Sequence, residues 1–268
     1  MSLGGIYIKK FTSKILTLCL LFSLSLSVFN AGLITSATET SSTSQKINSL
    51  NNKIINYLDT INPQDATPEN IEYFLKNNIS DEEKLTGIEY AELANKSNNK
   101  AKELTKKGYT TNEIAEAQII DSVITKNNLK VEFLDNGLFS IENLNDSITP
   151  SSRSNSVWGQ AYKDYYSNIG VHIFTIAVGT GFSYNGQKAS YYGNFTAYYK
   201  RGNLSIWQVD NWEKGHEPVG SSYQAFAQGN FHYGLEVSGV GIVFQDLYIS
   251  HSVTCSKDGK ISKNFRVI

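Results

Sequence analysis

The sequence predicts an α+β protein: an N-terminal helical domain with a small hairpin, followed by an antiparallel all-β, sandwich-like domain. Three observations carry this. Apolar residues recur every three or four positions up to about residue 127. The period falls to two near Leu129. Beyond Val157 the chain fills with aromatic, β-branched and glycine residues, including all four histidines. A 3.6-residue period marks helices with one buried face, and a two-residue period marks strands.

The first segment is neither. Lys9, Lys10 and Lys14 precede an uncharged apolar stretch from Ile15 to Phe29, and small residues follow at Thr35-Ser36-Ala37. This is the layout of an export signal, with cleavage expected after Ala37 and a secreted, extracellular product. The apolar stretch is shorter than the ~20 residues that cross a bilayer, so no transmembrane anchor is expected once the signal is removed. Cys19 lies inside the apolar stretch and behind bulky Leu18, which argues against lipid attachment. Cys255 is then the one remaining cysteine, and the fold is expected to be disulfide-free. Abundant Asn, Lys, Ile and Tyr fit a low-GC, Gram-positive source.

Residues 38–45 are mostly Ser, Thr and Glu, a composition expected to form a disordered tether. Residues 46–145 read as a helical domain or pro-region. Ile47, Leu50, Ile54, Leu58 and Ile61 form one stripe that Pro63 ends. Thr67-Pro68-Glu69 supplies a cap and a first-turn proline. Ser80 with Glu83, and Thr110 with Glu113, have the spacing of reciprocal N-terminal caps. Ile114, Ala117, Val123 and Ile124 extend the last helix to about residue 127. Leu129, Val131 and Phe133 then alternate up to Asn136-Gly137, and Leu138–Ile141 completes a hairpin.

Residues 146–156, rich in Ser with one Pro, read as a linker. Residues 157–268 read as the β-sandwich, with strands near 171–178, 181–184, 189–199, 204–209, 223–237, 242–254 and 260–267. The turn pairs are Asn185-Gly186, Gly202-Asn203 and Asp258-Gly259.

The formal net charge is −1, and no basic run lies outside the signal, so nucleic acid is not an expected partner. Alternation places His232 and Glu236 on an outward face, while His172 and His251 fall among apolar neighbours. No HExxH or paired CxxC spacing occurs, so no metal or cofactor is expected. Ser183 lacks the GxSxG frame. Cys255 lies roughly 13 Å from His251 along one extended strand, too far to activate it, so no catalytic residue is assigned. The candidate binding residues are Trp212, Asp210, Glu213 and His216. They sit in the segment WQVDNWEKGHEPVG, which Gly215 and Pro218 mark as partly a loop. A flat aromatic beside acids suits sugar stacking or a protein contact, while a core Trp207 and a lid-like Trp212 explain the same residues structurally.

In three features taken together, the chain resembles geobacillin-type large secreted bacteriocins. These are the signal up to Ala37, the charged helical half, and the aromatic end GNFHYGLEVSGVGIVFQDLYISHSVTCSKDGKISKNF. The resemblance implies an antibacterial role against related bacteria and carries over no site residue. The two expectations for function are thus a bacteriocin-like antagonist and a non-enzymatic cell-wall or carbohydrate-binding module. Either would act on a cell-surface target of unknown identity: protein, glycan or cell wall.

Overall fold

The computed structural model describes residues 37–145, 148–150, 155–202, 206–237 and 241–268. The expected signal peptide up to residue 36, and residues 146–147 and 151–154 of the expected linker, lie outside the described residues. Thr43–Ile268 forms one compact unit. Of the unit before it, Met1–Ser42, the described part is the opening of the first helix.

Among the described residues, four α-helices precede two antiparallel sheets. Helix α1 spans Ala37–Leu58, so the segment expected to be a tether is helical. Its polar side chains have a tertiary anchor: Thr43 donates to Glu89 at 3.2 Å, and Lys46 pairs with the same carboxylate at 3.0 Å. Helix α2, Pro68–Asn78, starts as its sequence predicts, with the Thr67 side chain accepting from the Asn70 amide. Helix α3, Gly87–Lys106, starts later than predicted. Ser80 and Glu83 make only a turn, and the reciprocal cap is Thr86 with Glu89. Thr110 and Glu113 do cap helix α4, Thr111–Gln118. That helix stops short of residue 127 because Ile119–Ile124 extends as strand β1 along residues 130–134.

The first sheet has seven strands. Its main path is β1, β2 (Leu129–Leu134), β3 (Leu138–Asn143), β5 (Ser156–Ser167), β6 (His172–Tyr184) and β7 (Ala189–Arg201), and short β4 (Ile148–Pro150) pairs with β5. The second sheet runs β11 (Ile261–Val267), β10 (Gly241–Cys255), β9 (Ser222–Val237) and β8 (Ile206–Val219). The hairpin turn uses Gly137 at φ +81°, and a Cβ there would stand 2.9 Å from the Tyr90 ring. Glycine thus serves both the left-handed turn and the close approach of α3.

Residues 138–141 of β3 pair directly with 164–167 of β5. One sheet therefore runs across the segment expected to separate two domains. On one face of this sheet, Leu50, Ile54, Leu58, Ile71 and Leu75 of α1 and α2 pack on Leu129, Val131, Phe133, Phe139 and Ile141. On the other, Phe174 and Ile176 meet Phe231, Tyr233 and Ile249 of the second sheet, with Leu85 and Tyr90 in the same cluster. Val157, Ala161, Val178 and Phe182 meet Ala225, Ala227 and Val253. Burying a side chain of the size of Leu or Phe contributes about 1.5–3 kcal/mol relative to exposure, so each half relies on the other for part of its core.

Candidate functional site

Strand β5 alternates cleanly. Val157, Ala161 and Tyr165 face the second sheet, while Gln160, Tyr162 and Asp164 face the side that carries α1 and α2. The helices cover β2, β3 and the Tyr166–His172 end of β5 and β6 on that side. Where their cover stops, a cavity of about 310 Å³ opens. The Pro63–Pro68 segment forms one wall, and Gln160, Tyr162, Asp164 and Tyr198 form the other, with Asn143 and Lys263 at the margin. That volume falls at the lower end of the range for small-ligand sites.

A hydrogen-bonded cluster underlies the cavity. Asp164, only 4 % exposed, accepts through Oδ1 from the Tyr162 hydroxyl at 3.2 Å and from Thr175 at 2.5 Å. Thr175 Oγ1 also contacts His172 Nε2 at 3.2 Å, and the His172 backbone amide donates to Glu72 Oε1 at 2.8 Å. The register of β5 and β6 shifts between Tyr165 and Tyr166. His172 consequently shares a face with Tyr166 and Thr175, rather than with Phe174 as simple alternation predicts. Burial, reinforced by the Asp164 carboxylate, pushes both tyrosine hydroxyls of the cavity above their usual pKa. Both stay protonated across the physiological range and can donate and accept hydrogen bonds.

This chemistry suits holding a ligand better than cleaving one. Hydrolysis of a glycosidic bond uses two carboxyl groups that flank it, and among the described residues lining the cavity Asp164 is the one carboxylate. Its Oδ1 is already engaged by two hydroxyls. Cys255 is buried elsewhere, between the sheets, where burial pushes its thiol up to about 11. His251 is wholly buried against the Tyr165 hydroxyl at 2.8 Å, and burial, with Lys163 nearby, holds it neutral. Among the described residues, no group of three or more His, Cys, Asp or Glu side chains is placed to hold a metal ion.

The residues singled out in WQVDNWEKGHEPVG lie elsewhere, and on no loop: the segment is strand β8, paired with β9 along its length. A one-residue register shift between Asp210 and Glu213, with Asn211 at φ +54°, reverses the alternation of the strand, so that Trp212 joins Val209 on the inner face. Half-buried Trp212 points inward, meeting Tyr199 edge-on at 4.9 Å and Phe231 at 6.2 Å. His216 also points inward, stacked on Tyr191 at 4.2 Å and bonded to the Tyr223 hydroxyl at 3.0 Å. Asp210 and Glu213 lie on the outer face, near His232 at 3.5 Å and Gln228 at 2.7 Å respectively. The four therefore do not form one surface. The side chain of Trp207 lies outside the described residues.

Gln160, Tyr162, Asp164 and Tyr198 carry no site motif in the sequence. The available signal was the alternation of Val157, Gly159 and Ala161 with Trp158, Gln160 and Tyr162, which marks a strand ahead of residue 171. Comparison with known proteins finds no family model, no curated protein and no solved structure that matches this chain.

Proposed function

We propose that this protein is a secreted, non-catalytic module that binds a hydroxyl-rich ligand of the cell surface, a glycan of the wall, in the cavity between Pro63–Pro68 and strand β5. The observation that carries the reading is the cavity's lining: two protonated tyrosines, an amide at Gln160 and one anchored carboxylate, within about 310 Å³. Aromatic faces beside hydrogen-bonding groups match a sugar ring, which offers apolar C–H faces and a rim of hydroxyls. The bacteriocin-like reading shares this recognition step and adds killing of the recognised cell.

The test is sedimentation of the purified protein with isolated Gram-positive cell wall, alongside a viability assay on intact cells. Tyr198 is 46 % exposed, so Tyr198→Ala should leave the fold intact and weaken wall binding by about tenfold, as expected for one aromatic contact at a binding centre. Wild-type protein that stays in solution, or a Tyr198→Ala variant that binds as well as wild type, rejects the proposal. Loss of viability on binding would favour the antagonist, and binding without killing the wall-binding module.

A further inference from the structure

A second cavity lies between the helices and the β1–β2 end of the first sheet, and it shares no lining residue with the first. One side of helix α3 turns toward it: Leu93, Lys96, Ser97 and Lys100 follow the i, i+3, i+4, i+7 spacing that shares a helix face. Ile47 of α1 and Leu134 of β2 add apolar wall. Ile120 completes it through an irregularity of β1. The pairing with β2 passes from Ile119↔Leu134 to Asp121↔Phe133, so Ile120 is an extra, unpaired residue of the strand. Such a bulge re-aims a side chain, and here a residue 51 % exposed joins the cavity lining. The volume is about 390 Å³, within the range for small-ligand sites.

Two polar features separate this cavity from a gap in packing. Asn168 lines it at 3 % exposure, and its backbone amide is fixed by a bond to the Gly137 carbonyl at 2.8 Å. The Asn168 side-chain Oδ1 has no donor among the described residues, and a buried acceptor left unpaired is costly. Lys96 is exposed and joins no ion pair among the described residues, its neighbour Glu92 included. The other charges of the lining cancel, since Asp135 accepts from Ser97 at 2.5 Å and pairs with Lys100 at 2.8 Å. We infer that this cavity binds a medium-chain hydroxy fatty acid, with its alkyl chain on Ile47, Leu93, Ile120 and Leu134, its hydroxyl donating to Asn168 and its carboxylate on Lys96.

Each part of that ligand answers one part of the lining. At the ~30 Å³ that a water occupies in the liquid, taken as the size of a methylene, a cavity of about 390 Å³ holds about thirteen heavy atoms. A ten-carbon hydroxy acid is of that size. A plain fatty acid would leave the Asn168 acceptor buried without a donor, which is the expensive arrangement. An alcohol would leave the Lys96 charge unused, and an alkylammonium would meet it with like charge. The carboxylate also selects the free acid over the same acyl chain esterified in a lipid. This site is independent of the wall-glycan reading.

The experiment is isothermal titration of the full chain, below micelle-forming concentrations, with 3-hydroxydecanoate, decanoate, methyl 3-hydroxydecanoate and decylammonium. The hydroxy acid should bind at a single site, about tenfold more tightly than decanoate for the added hydrogen bond and about fivefold more tightly than its ester for the exposed ion pair. Decylammonium should not bind. Lys96→Gln, at an exposed position, should bring the hydroxy acid down to the level of the ester. Asn168→Leu should erase the difference between the two acids, and if that variant fails to fold, the wild-type preference and Lys96→Gln still decide. Absence of binding by all four, equal affinity for the two acids, equal affinity for acid and ester, or tight binding of decylammonium overturns the assignment. Hydroxy-acid binding that Tyr198→Ala abolishes and Lys96→Gln leaves unchanged also overturns it, because the acid would then occupy the first cavity.

Discussion

The side-chain amide of Gln245 donates to the Tyr90 hydroxyl at 2.7 Å, tying strand β10 to helix α3 through two fully buried side chains. The partners are 155 residues apart, and the bond crosses the boundary that the composition of residues 146–156 suggests. With the shared sheet of β3 and β5, it makes the helical half part of the β half's core. An engineered protease site at 151–154 should therefore yield two pieces that stay together under native conditions, and residues 157–268 expressed alone should not fold. Gln245→Leu would leave the Tyr90 hydroxyl buried without its donor and should cost about 1–3 kcal/mol in urea denaturation. A stable, cooperatively melting 157–268 fragment would show the halves to be independent.

Trp212 gives a sharp contrast between a surface role and a packing role. An exposed Trp in a turn would leave stability untouched when removed. Packed edge-on against Tyr199 and Phe231 between the sheets, it should instead cost about 3 kcal/mol as Trp212→Ala, seen as a lower thermal midpoint. Glu213→Ala, on the outer face of β8, should change stability by less than about 0.5 kcal/mol. Equal melting of the two variants would place Trp212 outside the core.

The charges trapped between the sheets set an acid limit. Lys163, 1 % exposed, pairs with Glu132 and lies over the Phe265 ring at 4.2 Å, and Lys263 pairs with Glu142. Burial alone disfavours the Glu132 carboxylate, but Lys163 and Lys130 outweigh it and hold its pKa below the ordinary value. A group depressed on folding stabilises the folded state above its unfolded pKa, about 4.3 for Glu, and loses that contribution as pH falls through the folded value. Urea midpoints should therefore be flat from neutrality to about pH 5 and fall below it. In Glu132→Gln part of that fall should disappear, because the titrating group is gone. Lys163→Met, which leaves Glu132 with only the more exposed Lys130, should cost about 3 kcal/mol at neutral pH.

Much of the local structure was legible in the sequence, and the misses share a cause. Thr67-Pro68, Thr110 with Glu113, and Asn136-Gly137 fixed helix starts and a turn because caps and tight turns are satisfied by atoms a few residues apart. The amphipathic stripe of Leu50, Ile54 and Leu58 likewise needs only its own periodicity to declare a buried face. Residues 119–124 read as helix because Ile119, Val123 and Ile124 fit either period over so short a span. The edge of β2, a distant partner, decided for strand. Residues 38–45 looked too polar to order, yet Glu89 supplies the contacts that hold Thr43 and Lys46.

The sequence by itself thus determined the α+β class, the placing of helices before strands, and several caps and turns, since these follow from propensity, periodicity and short-range hydrogen bonding. Only the tertiary structure decided that the two halves share a core, that Trp212 faces inward through the shift at Asp210 and Glu213, and that Gln160, Tyr162, Asp164 and Tyr198 meet at one cavity. Each of those depends on which strand lies beside which, and a one-residue change of register sends a side chain to the opposite face.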